Sequence, residues 1–124
     1  MKKILIVEDE RILAVSLRMD LNEMGYDFVT IVTNCDDALE AVQNGKADLA
    51  LLDINIQGDK TGIDTAILIA QSSEIPIIFV TGETDFETRA KAELSPNCKG
   101  YLSKPVKIEL LKPLINQLFS LTIV

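Results

Sequence analysis

The chain has 124 residues, 12 Lys and Arg against 19 Asp and Glu, a net charge of −7 and no histidine. That length suits one domain, and a surplus of acid argues against direct binding of nucleic acid, which needs a basic face. Without histidine there is no Ser-His-Asp or Cys-His catalysis and no His-ligated zinc, so any metal must be held by oxygen, which favours Mg²⁺, Ca²⁺ or Mn²⁺.

The N-terminal "MKKILIVEDE" has basic residues before an apolar run, but the run is only Ile4 to Val7 and acids follow at once. A signal peptide needs about 7–15 apolar residues there, and no run reaches the roughly 18 that span a bilayer. A cytoplasmic protein without membrane insertion is expected. "KILIVE" itself predicts a strand. "RILAVSLRMDLNEMG" predicts a helix, with Ile12, Leu13, Ser16, Leu17, Leu21 and Met24 at helical spacing and Gly25 as its stop. "YDFVTIV" predicts a strand, and "NCDDALEAVQNG" a helix with Asn34 as N-cap and Gly45 beyond its end. "LALLD" is a strand and "GIDTAILIAQSS" a helix. "IPIIFVT" is a strand with Pro76 at its start. "DFETRAKAEL" is a helix capped by Asp85, "GYLS" a short strand and "KIELLKPLINQLF" the last helix, which Pro113 should kink. Cys35 and Cys98 lie far apart with no CxxC spacing and are expected as free, mostly buried thiols.

This is β-α five times over, with strands that are apolar throughout, as in a parallel sheet covered on both faces. Right-handed crossovers then give a doubly wound α/β domain of (βα)5, flavodoxin-like type. The strand order 2-1-3-4-5 is taken from known doubly wound proteins of this size. The whole chain, 1–124, reads as a single domain with no second one attached.

In such a sheet, ligands bind beyond the C-terminal strand ends. The strands deliver there Glu8 and Asp9, then Asp53 with Asn55 two residues on, then Thr81, then Lys104 and Pro105. Each has an ordinary reading. Acids favour helix N-termini, Asp53 is one loop residue among others, threonine suits strands, and lysines sit on surfaces. Together they are harder to dismiss, since acids gathered at one edge repel unless a cation lies among them. Mg²⁺ takes oxygen ligands and keeps several waters. A carboxylate can also act as the nucleophile toward phosphorus, and such a transfer needs little beyond in-line positioning and charge neutralisation.

Taken in order, "ILIVEDE", "LALLDIN", "IIFVTG" and "GYLSKP" resemble the receiver domain of two-component response regulators, over nearly the whole chain. The resemblance implies that Asp53 is the phosphoacceptor. It implies a Mg²⁺ site (Mn²⁺ as the second choice) made by Asp9, Asp53 and the Asn55 backbone carbonyl, with Glu8 acting through water. Thr81 would be the switch hydroxyl, Tyr101 the switch aromatic, and Lys104 the partner of a phosphoryl oxygen, with a cis bond to Pro105. The donor would be a histidine kinase or a histidine phosphotransfer domain. The protein would signal by contact, to a downstream protein or a missing output domain, and would not turn over an external substrate. The sequence departs from the common pattern in the loop "INIQGDKTGID", which lacks a proline and looks longer, and at Val106, where an aromatic is common. The apolar end "LFSLTIV" suggests packing against a second copy in a homodimer, or against another domain.

Three other readings fit the residues less well. An aspartyl-phosphate hydrolase usually has a second acid two residues after its nucleophile, where this chain has Asn55, and needs a cap for its substrate. A receiver-like module that is never phosphorylated would not need Asp9, Asp53, Thr81 and Lys104 together. A flavodoxin-like cofactor binder would not place "EDER" where a phosphate must be cradled.

Overall fold

Five strands alternate with five helices in this computed structural model, which describes residues 1–83 and 85–120. They are β1 (Lys3–Val7), α1 (Arg11–Glu23), β2 (Phe28–Val32), α2 (Cys35–Gln43), β3 (Leu49–Leu52), α3 (Gly62–Ala70), β4 (Ile77–Thr81), α4 (Phe86–Leu94), β5 (Cys98–Ser103) and α5 (Ile108–Ser120). All strand pairs are parallel, in the order β2-β1-β3-β4-β5. The expectation attached to the apolar C-terminal end falls mainly on residues 121–124, outside those described.

The two faces of the sheet explain the continuous apolar runs. Alternate side chains leave a strand on opposite faces, and here both faces are covered. Leu5, Val7, Ala50, Leu52, Ile77 and Phe79 pack on one side with Ala38, Ala41, Ala66, Ile69 and Ala92 of α2, α3 and α4. Ile4, Ile6, Leu49, Leu51, Ile78 and Val80 pack on the other with Leu17 and Leu21 of α1 and Leu111, Ile115 and Phe119 of α5. The three inner strands are therefore buried almost throughout, while β2 and β5 at the edges are only partly so.

The helix ends follow local chemistry. Asn34 accepts from the Asp37 N–H at the start of α2, and Asp85 accepts from the Thr88 N–H at the start of α4. Thr61 and Asp64 cap each other's backbone at the start of α3. Gly25 and Gly45 take positive φ just beyond α1 and α2, the left-handed turn that glycine makes without strain. Pro113 lies inside α5, which is continuous across it; Pro113 and Glu109 are both exposed, so the bond proline cannot donate is lost on the wet side.

Two expectations need correction. Ile12 does not join the core face of α1: it is 85% exposed, and the buried positions are Ala14, Leu17 and Leu21. Leu13 is also exposed. Cys35 is buried and unpaired as expected, but Cys98, also unpaired, is only half-buried because it opens the edge strand β5.

Candidate functional site

The register of the sheet brings the acids together. Val7 pairs with Leu52, so Glu8 and Asp53 leave adjacent strands side by side at the C-terminal edge. The Asp53 N–H donates to the Val7 carbonyl at 3.0 Å, which fixes its backbone to β1. Asp53 is 5% exposed and Glu8 6% exposed. Lys104 arrives from beyond β5 and is held by its own N–H, which donates to the Thr81 carbonyl at 3.0 Å. Its Nζ lies 2.7 Å from Asp53 Oδ2 and 2.5 Å from Glu8 Oε1. The other Asp53 oxygen, Oδ1, accepts from the Asn55 N–H at 3.1 Å.

The loop after Asp53 is tied down at both ends. The Gly62 N–H donates to the Ile54 carbonyl at 2.7 Å, and the Gln57 N–H donates to the Thr33 carbonyl at 3.2 Å. A short parallel bridge joins Asn34 to Gln57. Gly62 has no room for a side chain, since a Cβ would lie 2.0 Å from the Asp53 carbonyl oxygen. Only glycine lets α3 start this close to the strand end.

The remaining residues expected from the sequence are placed as follows. Thr81 is fully buried at the end of β4, and its Oγ1 accepts from the Glu83 N–H at 3.2 Å. Tyr101 is half-buried on β5; its hydroxyl donates to the Glu83 carbonyl at 3.0 Å, and the Arg89 guanidinium lies 4.7 Å from its ring centroid. The Lys104–Pro105 peptide is cis. Asn55 is exposed and Asp9 half-buried. Among the described residues, the acids whose oxygens gather within 4.8 Å of one another are Glu8, Glu10 and Asp53. Asp9 is not in that set, and Glu10, which sequence reasoning passed over, is. The signal for Glu10 was the third acid in "EDE", but three consecutive acids do not reveal which of them gather with Asp53.

The electrostatics show a site short of positive charge. Burial pushes the Glu8 carboxyl above its ordinary range; hydrogen bonds from Lys104 and the Glu10 N–H oppose that, and the nearby Asp53 charge adds to it. For Lys104, burial favours loss of the proton, but the hydrogen bonds and charges of Asp53 and Glu8 outweigh it and hold the ammonium above its ordinary value. Both shifts favour the bound proton, at Glu8 chiefly through burial and at Lys104 through the Asp53 and Glu8 carboxylates. Oxygen-only donors at this spacing fit a hard divalent cation. Beside them lies a cavity of about 150 Å³, lined by Leu13, Leu17, Val80, Pro105 and Val106 on its apolar side.

Comparisons with known proteins bear on the family and the fold. Residues 4–116 match the family described as the response regulator receiver domain. The chain is 32% identical over 117 residues to the sensory transduction protein LytR of Staphylococcus haemolyticus, covering 93% of this chain and 44% of that protein. It is 32% identical over 116 residues to the transcriptional regulatory protein PdtaR of Mycobacterium tuberculosis, covering 92% and 55%. It thus spans about half the length of these curated relatives. Among solved structures, the signal receiver domain of a modulated diguanylate cyclase from Desulfovibrio desulfuricans is 37% identical with a TM-score of 0.85, over 94% of this chain and 92% of that one. A CheY-like receiver domain protein from Methanospirillum hungatei is 28% identical with a TM-score of 0.84, over 97% and 95%. The chain belongs to the receiver domain family of two-component response regulators.

Proposed function

We propose that this chain is the phosphoacceptor of a two-component phosphorelay, with Asp53 as the nucleophile. A carboxylate oxygen of Asp53 attacks phosphorus in line. The new O–P bond forms as the P–N bond to a donor imidazole breaks, and its electron pair stays on the imidazole nitrogen. An ionised carboxylate has no proton to remove, so no general base is needed. The donor histidine lies outside these 124 residues, which contain none; a histidine kinase or a histidine phosphotransfer domain supplies it.

The observation that carries this reading is Lys104 Nζ at 2.7 Å from Asp53, a carboxylate fixed at the end of a buried strand. Lys104 follows a phosphoryl oxygen once Asp53 is esterified. Asp9, Asp53 and the Asn55 carbonyl are the proposed Mg²⁺ ligands, with Glu8 acting through water; Mn²⁺ is the second choice. A cation held there would supply positive charge beside Lys104 and would lower the cost of bringing phosphate oxygens to Asp53. The Thr81 hydroxyl turns from the Glu83 N–H toward the phosphoryl group, and Tyr101 moves into the space released. The phosphoryl charge of about −1.5 to −2 thereby changes the face formed by α4, β5 and α5, which a downstream protein, a second copy or an output domain reads. The domain works in the cytoplasm as a signalling phosphoprotein rather than a turnover enzyme.

Intact mass after incubation with acetyl phosphate tests this. One phosphoryl adduct is expected with Mg²⁺, none with a chelator, and none in Asp53→Asn. An adduct that survives in Asp53→Asn would overturn the assignment.

A further inference from the structure

Glu10 has no part in the reaction as described, yet it stands at the site. It occupies the N-cap position of α1, but its side chain does not cap the helix. Its N–H donates to Glu8 Oε2 at 3.1 Å, which anchors its backbone beside the buried acids. Its Oε1 lies 3.8 Å from Lys104 Nζ, and its carboxylate comes within 4.8 Å of both Glu8 and Asp53 oxygens. Its side chain is 65% exposed, against 7% for Glu8 and 5% for Asp53. Glu10 is thus the solvent-facing charge of the cluster.

An incoming phosphodonor must bring its own negative oxygens to Asp53. Glu8, Glu10 and Asp53 set three carboxylates against the Lys104 ammonium. A divalent cation would bring that balance to even; without Glu10 the site would carry one positive charge in excess, which favours an incoming anion. We propose that Glu10 is a specificity-determining residue that selects the phosphodonor by charge. It disfavours free dianionic donors, the class of acyl phosphates, relative to donors that carry less negative charge or bring cations of their own. A phosphohistidine presented by a protein with a basic side chain beside it belongs to the favoured class. This inference rests on Asp53 being the phosphoacceptor.

Initial rates of adduct formation by intact mass, at saturating Mg²⁺ and neutral pH, test the proposal. Two small donors differ in charge. Acetyl phosphate is largely a dianion, and its P–O bond breaks to release acetate. Phosphoramidate is largely a monoanion, and its P–N bond breaks to release ammonia. A wet charge at this range is screened, so Glu10→Gln should speed labelling by acetyl phosphate about two- to five-fold at 0.1 M ionic strength. Phosphoramidate should gain about half as much on a logarithmic scale, and Glu10→Lys should extend both gains in the same order. Added salt should raise the wild-type rate with acetyl phosphate and raise the Glu10→Gln rate less. A role for Glu10 confined to posture, through Lys104 or α1, would change both donors by one factor and leave the salt response alone. That result, or Asp53-dependent labelling no faster in Glu10→Gln and Glu10→Lys than in the wild type, overturns the proposal and leaves the phosphoacceptor reading intact. Labelling that persists in Asp53→Asn, or that is absent from every variant with both donors, counts against the phosphoacceptor reading and removes this inference with it.

Discussion

Lys104 is the residue on which the site balances. Its ammonium pairs with Asp53, Glu8 and Glu10, and it is mostly enclosed. Lys104→Met would leave carboxylates facing one another with no cation. Breaking a fully buried pair costs about 3–5 kcal/mol, and partial exposure reduces that to about 1–3 kcal/mol here. Urea unfolding should show the loss in a chelating buffer and a partial recovery with Mg²⁺; an unchanged midpoint would show that the ion pairs contribute nothing net. Gly62 makes the opposite kind of demand, for empty space. Gly62→Ala puts a methyl group against the Asp53 carbonyl, a backbone atom that cannot step aside alone. Overpacking of this kind costs about 1–3 kcal/mol, and slower phosphoryl labelling should accompany the lower melting point, because the atom displaced belongs to the nucleophile's own residue. The positions of Asp53 and Thr81 at strand ends were legible because each follows or ends an apolar run whose length fixes where the strand stops, while Lys104 follows the short, mixed stretch "GYLS". Glu10 was not legible. Where "EDE" leaves β1 for α1 the strand has ended, and the backbone turn alone decides which carboxylates gather beside Asp53.

At the scale of the element, the caps and breakers carry the predictions. Asn34→Ala removes the acceptor for the Asp37 N–H at the head of α2 and should cost about 1 kcal/mol, read as a lower urea midpoint. Pro113→Ala should act in the other direction. Pro113 is exposed within α5, and alanine both restores the missing N–H and suits a helix, so a gain of about 1–3 kcal/mol is expected by denaturant unfolding. A loss would mean that Pro113 itself favours the folded chain, by restricting the unfolded one. The order and limits of the helices were readable from Asn34, Asp85 and the glycines. The face of α1 was not, for a definite reason. Its sequence offers two apolar stripes, Ala14-Leu17-Leu21 and Ile12-Val15-Met19, each at helical spacing. Periodicity reports that a helix is amphipathic, whereas the crossing of α1 over the sheet selects the stripe it buries. The loop over 54–61 was likewise out of reach, because its course depends on the distant Thr33 and Asn34.

For the whole molecule, the strand order places one acidic edge between two covered faces, and the chain as a whole carries −7. Alkaline pH should loosen it. Burial raises the Tyr26 and Tyr101 phenols above their ordinary value, and Lys104 is raised by its carboxylates despite burial. Each group binds its proton more tightly folded than unfolded. Their stabilisation is complete below the unfolded values of about 10 and 10.4 and is lost as pH climbs through the folded ones. Stability should therefore fall above about pH 10, with the phenolate absorbance lagging behind that of the unfolded chain; a flat profile to pH 11 would contradict this. The parallel doubly wound sheet itself followed from continuous apolar runs, since only a sheet covered on both faces hides Leu49, Ala50, Leu51 and Leu52 together.

The central claim is that Asp53 carries the phosphoryl group, and it can be read chemically. An acyl phosphate is reduced by borohydride where a free carboxylate is not, turning the modified aspartate into homoserine. After labelling with Mg²⁺ and acetyl phosphate, reduction and digestion, peptide sequencing by mass should find homoserine at position 53 and nowhere else. Homoserine at position 9, or a label that resists reduction altogether, would contradict the account.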